Sequence, residues 1–259
     1  MIKTAIYPVA GRGSRMRPVT RAVPKELLPV YTTPLLQFAI DEAIDSGVER
    51  HVFVTSEDKP AIEDYVRDTY PGIDARFVTQ PEPLGLGHAV LMAQGEILPG
   101  PVAVILPDDL IVASVPVLAQ MSAAYDPALA CHMVAAMKVD AEETSAYGIL
   151  EADMPAPGCH VPVHGLVEKP SPEEAPSNLA IVGRYILHPG IFDTLLSTAP
   201  GSGGEIQLTD AIARDVRRRG LTAFRFDGVR FDCGQPDGLV EAGAAFQDVE
   251  DLMRAGPTA

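Results

Sequence analysis

The sequence has no tryptophan and only three cysteines, Cys131, Cys159 and Cys233. Three scattered thiols cannot build a disulfide framework, and they lack metal-site spacing. Free thiols in a reducing cytosol are expected, so the chain reads as cytoplasmic. Aromatic residues make up 6% of the chain and basic residues are outnumbered, 20 against 35 acidic, for a formal net charge of -15. Nucleic-acid binding calls for a basic face with aromatic platforms, so no nucleic-acid partner is expected. The apolar runs are strand-sized and too short to span a bilayer, and no signal-peptide pattern precedes Lys3. A hydrophobic share of 47% with 21% charged residues is ordinary globular composition.

The cations are unevenly placed. Lys3, Arg12, Arg15, Arg17, Arg21 and Lys25 all precede the first acidic residue, Glu26. A local excess of positive charge in an acidic protein favours a compact polyanion. It surrounds a glycine turn, Ala10-Gly11-Arg12-Gly13-Ser14-Arg15, that follows an apolar strand at 4–7. Glycines let a turn aim its N–H groups at phosphate oxygens, and nearby guanidinium and ammonium groups neutralise what those donors hold.

The pattern that follows alternates. Helices are expected at 34–46, 59–69 and 87–97, and strands at 51–55, 75–79 and 101–106. The order β-α-β-α-β-α-β predicts a parallel sheet with helices on both sides and ligands at the carboxyl ends of the strands. Three polar segments fall at such ends: the glycine turn, Gln80 to Ala89, and Asp108-Asp109. The second half reads as strands at 129–139, 147–151, 163–167 and 180–187, helices at 189–196 and 205–218, a strand at 222–226 and a closing helix at 237–253. The tail 256–259 is expected to fray. With no repeat and no clear linker, residues 1–259 read as a single domain, with 236–259 a closing helix and tail.

Each polar segment has a chemistry of its own. An amide such as Gln80 can donate and accept, as the imide edge of uracil or thymine requires, and Gly85 lets a base lie against backbone. A carboxylate at Asp108 is a hard oxygen ligand suited to Mg²⁺, and Asp232 supplies a second. Asp109 is the weaker candidate of its pair.

Taken in order, the motifs Gly11-Arg12-Gly13-Ser14-Arg15, Pro24-Lys25-Glu26-Leu27-Leu28-Pro29, Gln80 to Ala89, Leu106-Pro107-Asp108-Asp109, Val167-Glu168-Lys169-Pro170 and Phe231-Asp232-Cys233-Gly234 resemble the sugar-1-phosphate nucleotidyltransferases over most of the chain. The Gly85-Leu86-Gly87-His88-Ala89 wording is most similar to the bacterial UTP–glucose-1-phosphate uridylyltransferases. The resemblance implies a Rossmann-like α/β fold, with a mixed, mostly parallel central sheet flanked by helices and a smaller sugar-binding β region. It implies UTP and glucose 1-phosphate as substrates, with 1–126 mainly nucleotide-binding and 127–235 mainly sugar-binding, Mg²⁺ as cofactor and a homo-oligomer. It also implies roles: Arg15, Lys25 and Lys169 catalytic; Ala10, Gly11, Gly13, Glu26, Gln80 and Gly85 on the nucleotide; Tyr147, Gly148, Glu168 and Ile181 on the sugar; Asp108 and Asp232 on the metal.

Three alternatives are carried. One is thymidyl transfer from dTTP. Another is a non-catalytic relative that binds nucleotide sugar, which has no need to keep every one of these charges. The third is a dinucleotide-dependent oxidoreductase, which is disfavoured because Met16 stands where the third glycine of its fingerprint belongs. Two departures from the uridylyltransferases stand out. Arg12 and Arg17 replace residues that are more often apolar or small, and the segment 70–75 is short.

Overall fold

A computed structural model describes residues 2–255. The chain runs β1 (Thr4–Pro8), β2 (Pro29–Val30), β3 (Thr33–Pro34), α1 (Leu35–Asp45), β4 (Arg50–Thr55), α2 (Pro60–Thr69), β5 (Asp74–Thr79), α3 (Leu86–Met92), β6 (Val102–Ile105), β7 (Asp109–Val112), α4 (Val117–Ala124), β8 (His132–Lys138), β9 (Gly148–Glu151), β10 (His160–Pro162), β11 (Gly165–Glu168), β12 (Leu179–Leu187), α5 (Ile191–Leu196), α6 (Leu208–Arg219), β13 (Leu221–Arg225), β14 (Val229–Asp232) and α7 (Pro236–Ala255).

One ten-stranded sheet takes strands from both halves, in the order β10-β13-β8-β12-β6-β1-β4-β5, with β9 and β11 added beside β12. Four of the seven neighbouring pairs along that path are parallel, β8 with β13 and the three joining β6, β1, β4 and β5. The mixed, mostly parallel α/β fold read from the sequence is the one found.

The central strands are apolar on both faces because both faces are covered. Ala5 and Tyr7 of β1, Phe53 of β4 and Ile105 of β6 point into a core shared with α1, α2 and α4. Their neighbours Ile6, Val52 and Val104 point the other way, against α3, α5 and α6. The period-2 alternation of a strand thus feeds two cores. No helix among the described residues is long and apolar enough to cross a membrane.

Several boundaries differ from the sequence reading. Helix α1 starts at Leu35, because Thr33 and Pro34 are extended and pair with Val30 and Pro29. Ile44, near the end of this helix, is exposed. Helix α4 and the β7–β14 ladder were not anticipated. Helix α4 has only eight residues, and β7 has only four, starting directly after the turn at Pro107 and Asp108. Leu129, expected to open a strand, instead ends a 3₁₀ turn (Pro127–Leu129) capped by Asp126, whose carboxylate accepts from Ala128 N at 2.9 Å. The tail 256–259 lies outside the described residues.

Two buried histidines give the fold a pH dependence. Burial lowers His51 and His132 from the ordinary 6.5 to about 4, with Asp74 and Asp215 opposing only in part. Tyr7 Oη and His51 Nδ1 share a hydrogen bond of 2.8 Å, and the backbone N–H of His188 donates to His132 Nδ1 at 3.2 Å, which makes that ring nitrogen of His132 an acceptor. Between the two values the unfolded chain binds protons that the folded one does not. Stability is therefore full above about pH 6.5 and falls as pH drops toward about 4, by several kcal/mol for the two together. Urea midpoints at about pH 7.5 and about pH 5 check this; equal midpoints would refute it.

Candidate active site

The glycine turn leaves the carboxyl end of β1. Gly13 sits in the left-handed region at φ 59, and its carbonyl accepts from Met16 N at 3.0 Å and Thr20 Oγ1 at 2.8 Å. The turn is braced from below by a residue the sequence reading passed over. Lys59, at the start of α2, donates to Val9 O at 2.7 Å, Gly11 O at 2.6 Å and Glu26 Oε2 at 2.9 Å. An ammonium has three hydrogens, so all are committed. Glu26 is 0% exposed, and burial raises its carboxyl despite Lys59 and Lys25. The resemblance put Glu26 on the nucleotide; its side chain is fully buried against Lys59, behind the glycine turn. No sequence signal separates Lys59 from a solvated helix cap.

Lys25 is different. Its Nζ lies 2.5 Å from Asp108 Oδ2, across the rim from the end of β6. Burial would lower the ammonium and raise the carboxyl, but each holds the other charged: Lys25 is raised and Asp108 lowered, with Arg15 adding to the latter. Gly234 shows how tightly the remaining charges converge. A Cβ there would lie 2.9 Å from Asp108 Oδ2, 3.0 Å from Arg15 Nη2 and 3.1 Å from Asp232 Oδ1. Only glycine leaves this point open. Arg15, Lys25, Asp108 and Asp232, taken from four separate places in the chain, are thus one cluster.

Asp109 is not a free carboxylate. Its Oδ2 accepts from Gly183 N at 2.7 Å, and its Oδ1 accepts from Arg230 Nε at 2.7 Å and also from Arg230 Nη2. Asp232 keeps lighter company, Gly234 N at 3.2 Å and Gln235 Nε2 at 2.9 Å. Asp108 and Asp232 therefore suit a hard divalent cation, with two carboxylates from protein. No group of three His, Cys, Asp or Glu is assembled among the described residues, so such an ion would complete its shell from phosphate oxygens and water.

Two cavities open from this cluster. The larger, about 620 Å³, is lined by Ala10, Gly11, Arg15, Lys25, Gln80 and Gly85 among others. Gln80 donates from Nε2 to Gly85 O at 3.1 Å and to His88 Nδ1 at 3.0 Å. Both amide hydrogens are spent, so Oε1 is left to accept from a ligand. Gly85 has φ 100, and a Cβ there would meet Glu205 Cβ at 2.8 Å and Ile206 O at 2.9 Å. Arg12 and Arg17 line this cavity and, with Arg21, an adjoining one of about 480 Å³.

The smaller cavity, about 310 Å³, holds Tyr147, Gly148, Glu168, Lys169 and Ile181. Here β9 and β11 pair so that Gly148 faces Glu168. A Cβ on Gly148 would lie 3.2 Å from Glu168 Oε2 and 3.5 Å from Ile181 Cδ1. Lys169 Nζ is 3.3 Å from Glu168 Oε1, and Lys169 adopts φ 48, a strained conformation for a lysine. Thr209, which the sequence reading left as part of a helix start, donates to Glu168 Oε2 at 2.7 Å. Arg230, also missed, lies in this cavity with its Nη1 donating to Tyr147 Oη at 2.9 Å. Arg15 and Asp108 line both cavities.

The geometry is two cavities, one rich in arginine and lysine and one walled by Tyr147, Glu168 and Lys169, joined at a cluster of two carboxylates and two cations. The chain is similar to known proteins over most of its length. The nucleotidyl transferase family model matches residues 5–249. The UTP–glucose-1-phosphate uridylyltransferase of Pseudomonas aeruginosa is 41% identical over 93% of this chain and 95% of its own length. The enzyme of that name from Bacillus subtilis is 38% identical, covering 96% and 93%. Among solved structures, a UDP-glucose pyrophosphorylase complexed with UDP-glucose superimposes with a TM-score of 0.90 at 39% identity, covering 96% of this chain and 99% of that one.

Proposed function

The chain belongs to the nucleotidyl transferase family, and we propose that it joins UTP to glucose 1-phosphate, forming UDP-glucose and pyrophosphate. A phosphate oxygen of glucose 1-phosphate attacks the α-phosphorus of UTP in line. The bond from that phosphorus to the bridging oxygen breaks, and the electron pair leaves with pyrophosphate. The nucleophile is already an anion near neutral pH, so no general base is needed. The barrier lies in bringing two polyanions together, and catalysis is positioning plus charge neutralisation.

The observation that carries this reading is the shared wall of the two cavities, where Arg15 and Asp108 face both. Uracil suits the larger cavity because Gln80 Oε1 accepts an imide N–H, which cytosine lacks at that position. The turn N–H groups and Arg15 take the β- and γ-phosphates, Lys25 the α-phosphate and Lys169 the sugar phosphate. We assign the cation to Mg²⁺ on Asp108 and Asp232; when bound it neutralises phosphate charge. The same reading treats the chain as one domain, supported by a sheet that runs through both halves, working in the cytoplasm as a homo-oligomer. Exposed Val112 and Val229, cross-strand partners, offer apolar surface to a second copy.

Pyrophosphate release with UTP, dTTP and GTP, each paired with glucose 1-phosphate and Mg²⁺, tests the proposal. UTP should be preferred. A clear preference for dTTP would replace the base and keep the reaction; binding of UDP-glucose without pyrophosphate release would end the catalytic reading.

A further inference from the structure

Arg230 is a guanidinium with only 9% of its side chain exposed, set between two parts of the site. It stands on β14, and its Nε and Nη2 both close on Asp109 of the paired strand β7. Nη2 is 3.8 Å from Asp232 Oδ2, and Nη1 donates to Tyr147 Oη at 2.9 Å. Asp109 and Asp232 lie directly opposite each other in the ladder, so two carboxylates would repel across it. Arg230 resolves this unequally. It binds Asp109 through two N–H groups and leaves Asp232 with only a distant contact. The adjacent aspartates Asp108 and Asp109 are thus chemically different, one paired with Lys25 at the junction of the cavities and the other closed by Arg230.

The third bond reaches the aromatic wall of the cavity that Asp109 and Asp232 also line. Tyr147 Oη accepts from Arg230, so its own hydrogen is free to donate into the space lined by Glu168 and Lys169. A lysine could supply the charge but not three bonds in fixed directions.

We propose that Arg230 is a positioning residue that ties the metal carboxylates to the sugar-phosphate cavity: it closes Asp109, tempers Asp232 and turns the Tyr147 hydroxyl toward the acceptor substrate. The substrate part rests on the function proposed above. The rest concerns a divalent cation alone. In Arg230→Gln the KM for glucose 1-phosphate should rise about tenfold or more, while the KM for UTP stays within about twofold. Mn²⁺ affinity, measured by electron paramagnetic resonance without substrates, should rise about threefold or more, because a cation beside two carboxylates has been removed. The variant would bind metal better and use sugar phosphate worse, a combination that general loosening of the fold does not give. Arg230→Lys should return Mn²⁺ affinity to near wild type without restoring the KM. Tyr147→Phe should raise the same KM about threefold or more, with Mn²⁺ binding unchanged.

A glucose 1-phosphate KM within about twofold of wild type in both Arg230→Gln and Tyr147→Phe would overturn the proposal, as would unchanged or weaker Mn²⁺ binding in Arg230→Gln. If Arg230→Gln fails to fold, by circular dichroism, Arg230→Lys and Tyr147→Phe decide on the same KM. A wild-type protein inactive with UTP and glucose 1-phosphate would refute the assigned reaction instead, and the Mn²⁺ comparison would still read the Arg230–carboxylate contact.

Discussion

Lys25→Ala should lower kcat for pyrophosphate release by tens-fold to a thousandfold, equivalent to about 2–4 kcal/mol of barrier, and leave the fold in place. The ammonium lies 2.5 Å from Asp108 at the junction of both cavities, where negative charge gathers as two phosphates meet. Its loss is felt more in the transition state than in the ground state, so kcat falls more than KM for UTP rises. The variant should also acquire a steeper loss of activity toward acid. Lys25 is what keeps the Asp108 carboxyl low against burial; without it the carboxyl rises and protonates sooner as pH falls. Steady-state rates across pH, with a thermal melt as control, check both parts. A variant within about twofold of wild type would remove Lys25 from this role.

The comparison with Lys59 sharpens the expectation. Lys59→Met strips the ammonium from Val9 O, Gly11 O and Glu26 and leaves a buried carboxylate unpaired. Breaking a buried pair in this way costs about 3–5 kcal/mol of stability. One lysine should therefore be lost mainly from turnover and the other mainly from the melting temperature.

That contrast marks how far the sequence could be read. The cation cluster, the glycine turn and the β-α alternation are local signals, and they pointed to the parallel half of the sheet, Arg15, Lys25 and Asp108, while Asp232 came from the resemblance of Phe231-Asp232-Cys233-Gly234 to a family motif. Lys59, Thr209 and Arg230 carry no local signal. Each owes its place to a contact with a residue far along the chain: Glu26, Glu168 and Asp109 respectively. The β7–β14 ladder was missed for the same reason, since four-residue strands from distant parts of the chain support each other only after folding. Glu26 sat in the right motif, but its burial depends on Lys59, and nothing in Pro24 to Pro29 reveals a partner on another helix.

Asp108→Asn should lower kcat about a hundredfold or more, and Asp232→Asn should do the same, each raising the Mg²⁺ concentration for half-maximal rate about tenfold. Asparagine keeps the shape and can still accept from Lys25, so the loss is of charge and metal affinity. The two aspartates act as a unit: Asp108 Oδ2 and Asp232 Oδ1 lie 2.9 and 3.1 Å from the same empty Cβ position of Gly234. Once one is neutral and the ion is lost, neutralising the other removes little more. The double variant should therefore fall within about threefold of the weaker single one, rather than at the product of both losses. Asp109→Asn should behave differently, because its oxygens serve Gly183 and Arg230. It should alter the KM for glucose 1-phosphate and leave the Mg²⁺ requirement nearly unchanged. Titrating Mg²⁺ against initial rate in all four variants separates these patterns. Wild-type metal dependence in Asp108→Asn and Asp232→Asn, or additive losses in the double variant, would show that the two carboxylates do not share one ion.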